Sequence, residues 1–240
     1  MSILNNAITG RCARAPKIMI YGPPGVGKTS FAASGPNVLL LDTENGAGNV
    51  QCARTPHLAS WPAARVWLQA LANDEHDYAT VAIDSLDWLL RRIEEHVSGA
   101  DNERPEKTLQ SAHGGYGNGR LVMRNVVYQQ LLPLLDKLTE RKICVLLTAH
   151  TRLANVTDEG VAVKKTNARG IQKAAPDIMD GFLETFIEWA DMVGYVSIAG
   201  DARTIQVTDG PRVTAKNRMG LTEDIPLSWA AIMHKETQNG

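Results

Sequence analysis

Eight consecutive residues, Gly22-Pro23-Pro24-Gly25-Val26-Gly27-Lys28-Thr29, constrain this chain more than any other feature. They follow an apolar run, Ile18–Tyr21, and open a stretch that reads as a helix, so they form a strand-to-helix turn. Glycines let such a turn wrap closely, so that successive N–H groups, here from Gly25 to Thr29, point at one anion. The positive end of the helix dipole adds to that field. Lys28 is expected on the β- and γ-phosphates of ATP and the Thr29 hydroxyl on magnesium, with Ser30 closing the binding segment.

Four more runs, Val38–Leu41, Val81–Ile83, Ile143–Leu147 and Met192–Val196, are apolar throughout, as strands are when a parallel sheet is covered on both faces. Helical stretches separate them. Ser60 caps one over Trp61–Leu71 with Pro62 in its first turn, a second follows Ser85, and a long one spans Arg120–Arg141. In the last, Met123, Val127, Leu131, Leu134 and Leu138 recur at helical spacing, and Pro133 predicts a kink. Strands alternating with helices give an α/β fold with a mainly parallel central sheet flanked by helices. Thr204–Val207 and Arg212–Ala215, flanking Asp209-Gly210, predict a hairpin that adds antiparallel strands at the C-terminal end.

With hydrophobic residues at 44% and charged residues at 21%, the chain has the composition of an ordinary globular protein and no linker-like break. One core over residues 17–221 is expected, with a short extension, 1–16, and a tail, 222–240. A net charge of -1 excludes a global basic field, so any contact with nucleic acid must come from a local patch. Cys12, Cys52 and Cys144 are widely spaced, which argues against a disulfide framework or zinc site. No run has membrane-spanning length and the opening residues lack a leader pattern, so a cytoplasmic protein without a membrane partner is expected.

Val81-Ala82-Ile83-Asp84-Ser85 supplies a second motif. A carboxylate ending an apolar strand beside the phosphate loop suits a magnesium-bound water, and the competing role for Asp84 is a helix cap.

Together with these motifs, three further features resemble the RecA-like recombinase family of P-loop ATPases. In Leu41-Asp42-Thr43-Glu44 the resemblance assigns Glu44 the task of orienting and deprotonating the attacking water, against the bland reading of a turn acid before Asn45-Gly46. In Leu146-Leu147-Thr148-Ala149-His150, His150 stands where the family usually carries a glutamine that senses the γ-phosphate and feeds a DNA-binding loop. Val213-Thr214-Ala215-Lys216-Asn217-Arg218 resembles the family's Lys-Asn-Lys strand end, whose cations reach the neighbouring subunit's γ-phosphate; Lys216 and Arg218 match them. The likeness runs from about Lys17 to Leu221 and is greatest to small phage-encoded ATPases, described as nucleotide-binding proteins or Sak-type single-strand annealing recombinases. With about sixteen residues before the first strand and few after Leu221, the polymerisation segment of bacterial RecA is expected to be missing or much reduced and its DNA-gating domain missing, so duplex strand exchange is not among the expectations.

The resemblance also implies a ring or filament of subunits, single-stranded DNA as ligand and a single-strand-binding protein as further partner. Two segments stand where the family places its DNA loops. Gly114-Gly115-Tyr116-Gly117-Asn118-Gly119-Arg120 offers Tyr116 for stacking and Arg120 for a phosphate. The segment after His150 carries Arg152, Lys164, Lys165, Arg169 and Lys173, with a hairpin expected over Val156–Val163 around Asp158-Glu159-Gly160. Solvated surface loops are the alternative. The expected function is a DNA-stimulated Mg-ATP hydrolase acting in annealing or recombination. The competing classes are an ATP-dependent assembly switch for a protein partner, a small-molecule kinase and a helicase motor.

Overall fold

The apolar runs all become strands of one sheet. A computed structural model of the protein describes residues 14–99, 108–156, 171–221 and 224–233. Five parallel strands form its centre: β1 (Lys17–Tyr21), β2 (Val38–Asp42), β4 (Thr80–Asp84), β5 (Cys144–Ala149) and β8 (Met192–Ala199). A two-residue strand, β3 (Ala53–Arg54), extends one edge in parallel to β2. On the other side, β9 (Ala202–Gln206) and β11 (Ile225–Pro226) are antiparallel additions, and β10 (Lys216–Asn217) pairs antiparallel with the start of β8. The order is β11-β9-β8-β1-β5-β4-β2-β3, so the strand feeding the phosphate loop lies in the middle. This is the mainly parallel, helix-flanked sheet with antiparallel C-terminal strands implied by the resemblance to RecA-like proteins.

Strand β1 explains why both faces are covered. Ile18 and Ile20 face one apolar cluster, Met19 and Tyr21 the other, and all four are fully buried. Helices α2 (Trp61–Asn73), α3 (Leu86–Ser98), α4 (Asn118–Val126) and α5 (Leu132–Glu140) contribute to the second cluster. Helices α1 (Lys28–Ala33) and α7 (Trp229–Met233) contribute to the first. Ser60 caps α2 as expected, accepting the Ala63 N–H.

The long helix does not simply kink at Pro133. Helices α4 and α5 are joined by a π turn over Val127–Leu131, ending two residues before the proline. The π turn has a mechanical reason. Met123, Val127, Leu131 and Leu135 are buried at a spacing of four residues, and such a stripe drifts by about 40° per step around an α-helix. A wider turn takes up the drift and keeps the stripe on the sheet.

The expected C-terminal hairpin is corrected. Thr204 pairs with Ser197 of β8, across a turn at Gly200-Asp201 whose glycine has φ 62°, and not with residues 212–215. The latter segment is held by other groups. The Asp209 carboxylate accepts the Ala215 N–H (3.0 Å), and the buried Tyr21 hydroxyl accepts the Thr214 N–H (3.1 Å). Described residues of the expected 222–240 tail pack on the core as well. Trp229 of α7 stacks on Phe31 at 4.9 Å and donates its indole N–H to the Phe31 carbonyl, so this part of the tail belongs to the core.

After His150, β6 (Thr151–Val156) and β7 (Ile171–Pro176) form an antiparallel ribbon. The hairpin expected over 156–163 lies, beyond Val156, outside the described residues. Cys52 and Cys144 are not in disulfides; Cys12 is outside the described residues. Among the described residues no helix is long and apolar enough to cross a membrane.

Candidate nucleotide site

Strand register gathers the expected groups at one end of the sheet. Tyr21 pairs with Ala149, and Asp42 with Asp84, so the phosphate loop, His150, Asp84 and Glu44 all leave the carboxyl ends of neighbouring strands. That edge is where open α/β sheets form their binding crevice.

Two glycines of the loop are required by its path. A Cβ on Gly22 would come within 2.6 Å of the Val196 carbonyl oxygen of β8, so only glycine lets the loop leave the sheet there. Gly27, the residue before α1, has φ 102°, a conformation that side chains oppose. Lys28 is 8% exposed and folds back over its own loop, donating to the carbonyls of Gly22 (2.8 Å) and Pro23 (3.0 Å). Burial lowers its pKa from the ordinary 10.5, against the opposing pull of Asp84, Glu44 and Asp87. Pro23, Pro24 and Gly25 are exposed, Val26 is buried in the core, and Thr29 and Ser30 open outward at the start of α1.

Asp42 and Glu44 divide the labour of the Asp-Thr-Glu segment. The buried Asp42 carboxylate accepts N–H groups of Asn45 (2.7 Å), Gly46 (3.2 Å) and Ala47 (3.2 Å), which ties down the loop. Thr43 joins it to β4, through its N–H to the Asp84 carbonyl and its hydroxyl to the Ser85 carbonyl. Glu44 is left projecting into the crevice with its side chain 33% exposed. Its nearest charged partner is His150, whose Nε2 lies 3.5 Å from Glu44 Oε1. On the other side of the ring, Nδ1 donates to Asp87 Oδ2 at 2.9 Å.

These neighbours shift each group's titration. Burial is the largest influence on Glu44 and raises its pKa above 4.5, with His150 and Lys28 pulling the other way and Asp84 and Asp87 adding to it. The hydrogen bond to Asp87 raises His150 above 6.5 despite burial. Burial pushes Asp87 up, but its bonds and charge attraction to His150 prevail and leave it below 3.8.

Asp84 is not a helix cap. It ends β4, is 4% exposed and accepts a hydrogen bond from the buried Thr148 hydroxyl, while Ser85 occupies the position before α3. No group of three or more His, Cys, Asp and Glu side chains among the described residues is arranged to hold a metal ion. The oxygen donors of Thr29 and Asp84 fit magnesium, which keeps waters and takes phosphate oxygens as its remaining ligands.

The cations matched to the trans role part company. Lys216 pairs with Val193 near the start of β8, in register with Met19 of β1, so it sits about 10 Å back along the strands from the phosphate loop at Gly22. Its ammonium donates to the carbonyls of Ile187, Glu188 and Ala190, all at 2.7 Å, and so caps the end of α6 (Leu183–Trp189). In the protomer Lys216 is therefore a helix-capping residue. The Arg218 side chain is exposed, and its charge, after burial, helps lower the Lys216 pKa.

Of the DNA-loop residues, Tyr116 is 97% exposed in the glycine-rich turn and Arg120 is exposed two residues into α4. Arg152 of β6 pairs with Asp180 at 2.8 Å, and Lys173 of β7 with Asp209 at 3.1 Å. Neither is the unpaired cation expected of a basic loop. Lys164, Lys165 and Arg169 lie outside the described residues.

Two features went unread in the sequence. Asp87, two residues after Ser85 and apolar-flanked like a core position, turns out to hold His150. A cleft of about 340 Å³ beside the phosphate loop is lined by Gly27, Ser30, Ser34, Arg203 and Leu227. Arg203 and Leu227 come from β9 and the residue after β11, and only the hairpin partner seen here brings them to the loop.

Residues 14–219 match the family described as AAA domain. No curated protein matches the chain. A solved structure, "Crystal structure of the RadB recombinase", is similar with a TM-score of 0.44 and 15% sequence identity, covering 85% of this chain and 84% of that one.

Proposed function

The chain belongs to the AAA domain family, and from that premise we propose that it hydrolyses Mg-ATP, assembles with copies of itself and binds single-stranded DNA to promote annealing or recombination. The observation that carries the reading is the convergence of the phosphate loop, Glu44, Asp84 and His150 at one sheet edge. Lys28 exchanges the Gly22 and Pro23 carbonyls for the β- and γ-phosphates. Glu44 orients a water in line with the γ-phosphate and accepts its proton. Thr29 and Asp84 would hold magnesium, which when bound would supply positive charge beside the phosphates. The cleft at Arg203 and Leu227 takes the base and ribose.

Arg218 is the cation offered to a neighbouring subunit's γ-phosphate, because Lys216 is committed to α6. For DNA, Tyr116 supplies a stacking face and Arg120 a phosphate contact. Arg152 and Lys173 join them by exchanging exposed carboxylates for phosphates, since such surface pairs are held weakly. Lys164, Lys165 and Arg169, outside the described residues, are proposed as further phosphate contacts on the strength of their charge.

The test is steady-state ATP hydrolysis by wild type and Glu44→Gln, each with and without single-stranded DNA. Wild type should be stimulated, and Glu44→Gln should bind ATP without turnover because an amide cannot accept the proton. Turnover by Glu44→Gln at the wild-type rate removes Glu44 from the chemistry. Wild-type hydrolysis that ignores DNA, with no oligonucleotide binding at low salt, overturns the DNA reading.

A further inference from the structure

We propose that Asp87 is a positioning residue for hydrolysis, fixing the direction and tautomer of the His150 ring so that Nε2 faces Glu44. The inference rests on the reading of Glu44 as the group that activates water.

Asp87 sits in the first turn of α3 and is 5% exposed. An acidic residue there would ordinarily be explained by the helix dipole. Its oxygens are used differently. Oδ2 accepts from the His150 ring at Nδ1 (2.9 Å), and Oδ1 accepts from the His150 backbone N–H (3.2 Å). One carboxylate thus fixes both the ring and the main chain of a single residue across two elements. The His150 carbonyl is engaged as well, accepting the Asp177 N–H at 2.8 Å, so the residue is held from both sides.

The chemistry follows from donor and acceptor counts. A carboxylate only accepts, so Nδ1 carries the hydrogen that it donates to Asp87. The neutral ring then presents a lone pair at Nε2, and the protonated ring an N–H, in either case toward Glu44 Oε1 at 3.5 Å. The charged groups around this ring are Asp87 on α3, Glu44 after β2 and Lys28 of the phosphate loop, with Asp84 of β4 facing Glu44. When protonated, a ring fixed in this way holds an ionised Glu44 to one side of the crevice through its Nε2–H, and when neutral it leaves an acceptor at Nε2 facing that carboxyl group. A ring free to rotate would do neither, and a neutral ring with its hydrogen on Nε2 would turn a lone pair at Nδ1 to the Asp87 carboxylate and lose that tie. Asp87 touches no reacting atom in this scheme; it acts through His150.

Asp87→Asn removes one acceptor and adds a donor while preserving shape. Two donors, the His150 N–H and Nδ1–H, then compete for one amide oxygen, and the NH2 group favours the tautomer with its hydrogen on Nε2. The experiment combines Asp87→Asn, His150→Gln, the double variant and Glu44→Gln. For each it measures kcat and KM for ATP, ATP affinity and thermal unfolding, with the His150 tautomer read by nitrogen NMR where the ring is present. Asp87→Asn should shift the neutral ring to Nε2–H and lower kcat roughly tenfold or more, the scale seen when carboxylates behind functional histidines are lost, with ATP affinity retained. In the His150→Gln background it should cost nothing further, because its effect passes through the ring.

Losses that multiply in the double variant, or an unchanged kcat in a folded Asp87→Asn, overturn the proposal. If Asp87→Asn does not fold, the wild-type chain still decides: a neutral His150 with its hydrogen on Nε2 refutes it. Turnover by Glu44→Gln instead refutes the choice of base, a separate result from the Asp87–His150 cycle.

Discussion

Replacing Asp42 with alanine should cost stability and turnover together, whereas replacing Glu44 with glutamine should cost turnover alone. The difference follows from what each carboxylate touches. Asp42 accepts three backbone N–H groups, and they are not equal. Ala47 is fully buried, so its N–H would lose its partner with no water to replace it, a loss of about 2 kcal/mol. Asn45 and Gly46 are exposed, and water can take over their N–H groups at about 0.5 kcal/mol each. The sum is roughly 3 kcal/mol, which for a domain of this size corresponds to a fall of roughly 6–12 °C in Tm. Asp42→Asn keeps one acceptor oxygen and should lose about half as much. Glu44 is a third exposed and meets only His150, so Glu44→Gln should stay within about 0.5 kcal/mol of wild type. Urea unfolding followed by tryptophan fluorescence gives the stabilities, and ATP turnover measured well below each transition gives the activities. If Asp42→Ala melts within about 2 °C of wild type, or Glu44→Gln is destabilised as much as Asp42→Ala, the division between anchor and reacting group is wrong.

Lys28→Ala should weaken ATP binding by at least about 100-fold, or about 2.7 kcal/mol, by deleting a buried cation that pairs with phosphate; equal affinities by calorimetry refute this. Turnover should fall on acidification through a pKa above the ordinary 4.5 of Glu44, because burial raises it and only its ionised form accepts a proton; an acid limb at or below 4.5 in the pH–rate profile would contradict this. The His150–Asp87 pair should stabilise the fold in full between the ordinary values of 3.8 and 6.5, and lose its effect as pH rises through the raised value of His150 or falls through the lowered value of Asp87. The Tm gap between wild type and His150→Gln should therefore close above that range, and a constant gap would show that the pair is not responsible. Mixing Glu44→Gln with Arg218→Ala should restore part of the turnover through interfaces that regain both groups, and no recovery in verified mixed assemblies sinks the shared site. Lys216→Ala should lower Tm where Arg218→Ala does not, since only Lys216 caps α6.

The five central strands were legible because strands covered on both faces must be apolar at every position, a pattern that Val38–Leu41 and Ile143–Leu147 both carry. Asp84 was picked out as a polar residue ending such a run and Glu44 and His150 by resemblance to RecA-like recombinases, and parallel strands bring all three to one edge. Partners were not legible. Nothing in the spacing of Lys216 announces that three carbonyls at the end of α6 await its ammonium, because that contact spans about thirty residues and depends on where β10 docks. The hairpin was misassigned because Asp209-Gly210 carries the residue types of a turn. Asp209 instead uses its carboxylate to hold Ala215 and Lys173, while Gly200-Asp201 makes the reversal. Asp87 was hidden by its neighbours, as a lone acid in the first turn of a helix looks like a response to the dipole.

The π turn at Val127–Leu131 is, in genetic terms, one residue too many in an otherwise α-helical segment. Deleting a single codon elsewhere in α4 or α5 would rotate the residues before it by about 100° relative to those after it, and turn buried side chains on one side of it away from the core. Deleting one within the turn would convert it to α-helix and leave both flanking faces where they were. Sequences descended from a common ancestor with this chain should accordingly tolerate a one-residue gap between Val127 and Leu131, and resist one on either side of it.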